Sequence, residues 1–169
     1  SSGGDFDNTT GQSRLQEVQN VWTNQPNVTL HFTKLKLLKE LSHDAWVNFI
    51  EALFTNKEEY DCLFVPTKED SHFEHKIVNE LAFPLTRIKG ISILEYRTPS
   101  TLDSWSPNTF TDITEYFDEK QRQLMLFKSQ KDRWYFQEDL LKSFHSNFQS
   151  YKKGIKYVEQ FKTVQLYKL

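Results

Sequence analysis

Six residues, Asp70-Ser71-His72-Phe73-Glu74-His75, constrain this chain more than any others, because they set two imidazoles among two carboxylates. The apolar run Cys62-Leu63-Phe64-Val65-Pro66 precedes them, and Lys76-Ile77-Val78-Asn79-Glu80-Leu81-Ala82-Phe83, read as a helix, follows. In an open α/β sheet ligands collect beyond the carboxyl ends of the strands, so the segment is a candidate metal or acid–base site. A plainer alternative uses the same spacing. Ser71 and Glu74 stand as in a capping box, which leaves His72 and His75 as first-turn residues facing solvent. In the chemical alternative one neutral imidazole ligates Zn2+ and a nearby carboxylate orients the other ring. A zinc-bound water then becomes a nucleophile near neutral pH. Catalytic zinc normally takes three protein ligands, and this segment offers one or two.

The rest of the chain reads as alternating elements. A first helix is predicted over Gln12 to Gln25, with Ser13 and Gln16 at capping-box spacing, stopped by Pro26-Asn27. Val28 to Phe32 reads as a strand. Ser42 caps a helix whose apolar positions Trp46, Phe49, Ile50, Leu53 and Phe54 lie on one face. Asp61 to Val65 has the continuous apolar pattern of a strand buried on both faces, and Ile91 to Tyr96 is another strand. After a Ser/Thr/Pro-rich loop from Thr98 to Thr109, Asp112 and Glu115 cap a helix carrying Phe117, Leu124 and Phe127. A last long helix is predicted from Tyr135 to Lys152, ended by Gly154, with an extended tail from Tyr157 to Leu169. Strands alternating with helices imply right-handed crossovers. The expected fold class is α/β: a three-layer, Rossmann-like, mostly parallel sheet with helices on both faces, forming one domain over residues 1–169.

Composition narrows the function. With 37% hydrophobic and 15% aromatic residues, the chain is far from the disordered class. Its net charge of −2 and lack of a basic run argue against a nucleic-acid partner. No apolar run approaches the roughly 20 residues that cross a bilayer, so no membrane span is expected. A single cysteine, Cys62, cannot form an intrachain disulfide and fits a reducing, cytoplasmic setting. Its place in an apolar strand makes it a packing residue.

Several short motifs, read together, resemble the LmbE-like (PIG-L) family of zinc-dependent N-acetylglucosaminyl de-N-acetylases. Arg14-Leu15-Gln16-Glu17 resembles the family's Arg-x-x-Glu helix, and Asp70 to His75 its Asp-x-His-Pro-Asp-His motif. Pro107-Asn108-Thr109-Phe110-Thr111-Asp112-Ile113-Thr114 is similar to its Pro-Asn-x-x-x-Asp-Ile-Thr stretch. Lys120 with Ser129-Gln130 is similar to its Lys helix ending in Ser-Gln, and Gly154 to Phe161 to its Gly-x-x-Tyr-Ala-Glu-x-Phe close. The pieces fall in the family's order across nearly the whole chain. The resemblance implies a hydrolase that removes acetyl from an N-acetylglucosamine-type amide of an amino sugar or glycoside. It assigns His75 as a Zn2+ ligand, His72 as the group that steadies the oxyanion or protonates the departing amine, Glu74 as its tuning carboxylate, and Arg14 as a substrate contact.

The sequence also departs from that pattern. The family's N-terminal His-Pro-Asp-Asp motif, which brings two zinc ligands and the general base, is absent. Glu74 stands for the usual Asp and Phe73 for the usual Pro, and no acid lies near Phe32-Thr33-Lys34. Two expectations follow. Either the chain is part of an active enzyme whose first strand and metal motif lie upstream of Ser1, or it is a non-catalytic carbohydrate- or partner-binding relative on the same fold. A sheet lacking its first strand would expose an edge and favour homo-oligomers. Elsewhere, Lys120 and Ser129-Gln130 are expected to tie a helix end to the sheet, and Glu159 to stabilise the fold. His31, His43 and His145 are expected outside any convergent cluster, and Trp105, Trp134 and Tyr135 in the core.

Overall fold

The computed structural model describes residues 9–32, 42–55, 60–146 and 154–167. The chain divides into two compact units, Ser1–Leu37 with Asp112–Glu159, and Leu38–Thr111 with Gln160–Leu169.

The second unit carries the sheet. Helix α2 (His43–Thr55) starts as predicted, with the Ser42 hydroxyl accepting from the Ala45 N–H at 3.2 Å. Of its apolar face Trp46 is half-buried, and the side chains of Phe49, Ile50, Leu53 and Phe54 lie outside the described residues. Strand β1 (Cys62–Pro66) runs parallel to β2 (Ser92–Tyr96), and helix α3 (Phe73–Lys89) connects them, which makes one β–α–β unit. Gly90, at φ 63°, follows the last turn of α3 in the left-handed conformation that closes helices. The apolar core is built from Val65, Ala82 and Ile93, with Leu63 and Phe83 against them.

Two further strands, β3 (Thr109–Asp112) and β4 (Val158–Gln165), complete a four-stranded sheet of order β1-β2-β4-β3. Strand β4 pairs antiparallel to β2. The sheet is thus mixed, a correction to the mostly parallel one expected. Only β1 and β2 are joined by a single crossover helix; β4 follows β3, α4 and α5 in the chain and enters the sheet from the opposite end to β2. The expectation that β1 is buried on both faces is also corrected. Val65 is 5% exposed on the face toward α3, whereas Phe64 is 57% exposed on the other, where its ring meets Phe161 at 5.3 Å. Alternation along a strand separates these neighbours.

The first unit is helical. Helix α1 (Thr9–Trp22) begins earlier than predicted, so Ser13 is an interior residue, and Gln16 donates one turn on to Asn20 at 3.0 Å. The strand expected over Val28 to Phe32 does not form, since Val28 closes a turn onto Gln25 and no ladder partner is present among the described residues. β-Propensity needs such a partner to act. Asp112 accepts from the Thr114 N–H at 2.9 Å in the turn before helix α4 (Phe117–Leu124). The long last helix is shorter than predicted. A 3-10 turn over Trp134–Phe136 precedes helix α5 (Glu138–His145), because Gln137 is extended at ψ 135° and breaks the run. Ser146, extended at ψ 135° and bridged to Tyr157, ends α5, and the rest of that predicted helix lies outside the described residues.

Candidate functional site

The loop that leaves β1 at Thr67 and enters α3 at Phe73 is held from two sides. Asp70 bridges Thr101 of the loop after β2, Leu102 N–H donates to Glu69 O at 2.9 Å, and Ser71 N–H to Ser100 O at 2.9 Å. The Ser71 hydroxyl goes to the same carbonyl at 3.0 Å. The capping-box alternative for Ser71 and Glu74 is therefore not realised. The carboxylate that serves the start of α3 is Asp70, whose Oδ1 accepts from the His72 N–H at 2.7 Å.

Asp70 is completely buried and collects donors. Thr98 Oγ1 lies 2.6 Å and Thr101 Oγ1 3.3 Å from Oδ2, and Ser100 Oγ lies 2.7 Å from Oδ1. The fifth donor is His75, with Nδ1 3.1 Å from Oδ2. Burial alone would raise the Asp70 carboxyl. The bonds from Ser100, Thr98, the His72 backbone and His75 outweigh it and hold the group well below the usual carboxylate range. An ionised carboxylate only accepts, so His75 carries a proton on Nδ1, and in the neutral ring the lone pair lies on Nε2. His75 is 23% exposed at its side chain while Asp70 is 0%, so the pair couples a buried anion to an imidazole that solvent can reach.

Of the residues singled out by sequence, His72 and His75 come together, their rings stacked at 4.5 Å and 25°. His72 is exposed, and Glu74 is half-buried on the first turn of α3 with no hydrogen bond to His72. Arg14 lies on α1 in the other unit, half-buried. Sequence reasoning passes over Asp70 as a working residue and misses the hydroxyls of Thr98, Ser100 and Thr101. The available signal is a Thr-Pro-Ser-Thr run directly after an apolar strand.

A zinc ion asks for three or four donors. His75 fits as one, with the carboxylate-bonded far nitrogen that metal-binding histidines usually show. Among the described residues no group of three His, Cys, Asp or Glu side chains is placed to hold a metal. The described residues thus offer one candidate donor with an orienting carboxylate, and no complete set.

In the first unit, Glu17 of α1 accepts from Ser129 N–H at 2.7 Å and Ser129 Oγ at 2.6 Å. The Ser129-Gln130 turn is therefore tied to α1 and not to the sheet, and it joins two of the sequence motifs. Lys120 pairs with Glu159, and burial pulls the Lys120 ammonium down to about 8. Glu159 Oε2 also lies 3.8 Å from Nδ1 of His145, which is buried beside Phe117 and bonds Val158 O at 3.3 Å. This corrects the expectation of His145 outside any cluster; the extended return of β4 brings Glu159 to it. Trp105 is buried as expected, but Trp134 is 58% exposed, because the short 3-10 turn lifts it off the core.

Burial and the nearby Asp61 push the Cys62 thiol up, away from the reactive thiolate. No helix among the described residues is long and apolar enough to cross a membrane.

No protein-family model matches the sequence, and no curated protein matches it. Solved structures do. The conserved protein TT1542 from Thermus thermophilus is similar at 14% identity and a TM-score of 0.66, over 94% of this chain and 74% of its own. GalB, the 4-carboxy-2-hydroxymuconate hydratase from Pseudomonas putida, is similar at 14% identity and a TM-score of 0.61, over 95% of this chain and 74% of its own. At that identity the likeness speaks for the fold alone, a mixed α/β fold.

Proposed function

We propose that this chain is a zinc-dependent amide hydrolase that removes acetyl from an N-acetylglucosamine-type substrate, on a Rossmann-like, LmbE-like scaffold. The observation that carries the reading is the 3.1 Å contact of His75 Nδ1 with the buried Asp70 carboxylate. It sets a proton on Nδ1 and, in the neutral ring, offers Nε2 as a metal donor on the first turn of a helix that follows a strand's carboxyl end. In this reading His75 holds zinc through Nε2, with the remaining ligands supplied from outside the described residues. Bound zinc would polarise the amide carbonyl and lower the pKa of water.

The other residues act on the organic substrate. In this reading His72, exposed just before α3 with its ring stacked on that of His75, steadies a developing oxyanion or delivers a proton to the departing amine. Glu74, on the first turn of α3, is the carboxylate partner proposed for that imidazole. Arg14, on α1, is proposed as a contact to the sugar or its aglycone on the resemblance alone.

Acetate release from an N-acetylglucosaminide, with zinc content measured on the same sample, tests the proposal. The zinc-loaded chain is expected to release acetate, and His75→Ala to lose both activity and at least tenfold in zinc affinity. A chain that binds the sugar, holds no zinc and releases no acetate would instead be a non-catalytic carbohydrate-binding relative, and the proposal would fail.

A further inference from the structure

Glu95 is 2% exposed, and its two oxygens accept from different parts of the unit. Asn79 Nδ2 donates to Oε1 at 2.8 Å, and Thr67 Oγ1 donates to Oε2 at 3.0 Å. Asn79 and Thr67 are themselves 1% and 0% exposed. The amide of Asn79 also reaches Pro66 O at 2.8 Å, so one side chain of α3 is tied to the ends of both β1 and β2. Thr67 in turn accepts from the Glu69 N–H at 3.2 Å. Lys162, the cross-strand neighbour of Glu95 on β4, feels that carboxylate while its ammonium bonds Glu69 at 2.7 Å.

A carboxylate withdrawn from water needs a reason, since hydrophobic residues of similar volume would usually cost less. Here its two branches lead to the two halves of the site. Asn79 lies one helical turn beyond His75 on α3. Thr67 opens the loop that carries Asp70, and its hydroxyl hands the hydrogen bond on to the backbone of Glu69, next to Asp70. We infer that Glu95 is a positioning residue: through Asn79 and Thr67 it sets α3 and the β1–α3 loop at the spacing that lets Asp70 accept a hydrogen bond from the Nδ1–H of His75.

The inference concerns the tautomer of His75, which exists without metal; only its consequence for zinc rests on the function proposed above. Glu95→Gln keeps the shape but puts a donor where one acceptor was. With Asn79 satisfied, the new amide faces Thr67 and reverses that hydroxyl. Nitrogen-15 NMR of the imidazoles in the full metal-free chain reads the result. The wild-type chain should show His75 protonated at Nδ1, with a protected, hydrogen-bonded Nδ1–H signal. In folded Glu95→Gln that signal should disappear and the ring should become a mixture of tautomers. Thr67→Val, which removes the same link without altering charge, should act in the same direction and serves if Glu95→Gln does not fold. A folded Glu95→Gln or Thr67→Val whose His75 spectrum matches wild type would reduce the brace to a purely structural one and overturn the inference. So would a wild-type ring protonated at Nε2. Zinc affinity measured on the same samples should fall about tenfold in the variants. An intact tautomer shift without any zinc binding would sink the function and spare the positioning role.

Discussion

Asp70 shows how a residue can be central without looking reactive. It is buried, ionised and saturated with donors, so its part is to hold others. Removing the charge leaves Thr98, Ser100 and His75 facing a group that cannot accept from them all. Asp70→Asn is expected to destabilise the chain by about 2 kcal/mol at pH 7, measured by urea unfolding. Because the folded carboxyl titrates well below its ordinary value of about 4, its contribution is complete above that pH and is lost as pH falls through the lower folded value. Wild-type stability should therefore decline more steeply than that of Asp70→Asn between about pH 4 and pH 2. Parallel declines would show that Asp70 is not the buried anion described.

At the scale of elements, β1 teaches the most. Its sequence is apolar throughout, which hides the fact that one face packs on α3 and the other is open. Ile93→Ala on the neighbouring strand, fully buried toward α3, should cost about 2–5 kcal/mol. Phe64→Ala, although it removes more atoms, should cost about 1 kcal/mol or less, since over half of its surface already meets water. Thermal or urea unfolding of the pair checks the assignment of faces, and the reverse order would refute it. Helix α2 offers a separate check. Ser42→Ala removes the one side-chain acceptor at its start and should cost about 1 kcal/mol.

Over the whole molecule, what is legible from sequence is whatever local chemistry decides. Helix α2 announces itself by its Ser42 cap, and helix α3 and strands β1 and β2 by their apolar residues. The direction of β4 does not, because nothing in the residues of Val158 to Gln165 distinguishes parallel from antiparallel pairing. Val28 to Phe32 has strand composition but no partner among the described residues, and Gln137 breaks a helix that periodicity alone would continue. The site divides in the same way. The closeness of His72 and His75 follows from helical spacing. The pairing of His75 with Asp70 depends on a loop some thirty residues away that supplies Thr98, Ser100 and Thr101, and the Glu95 brace depends on three separate elements meeting.

The zinc-edge X-ray absorption spectrum of the zinc-loaded chain, recorded for wild type and His75→Ala, reads the metal's neighbours themselves. A nitrogen shell near 2.0–2.1 Å with imidazole multiple scattering is expected in wild type, reduced by one ring in His75→Ala. Identical spectra from the two proteins, or a wild-type spectrum without imidazole, would contradict His75 as a metal ligand and with it the proposed amide hydrolase.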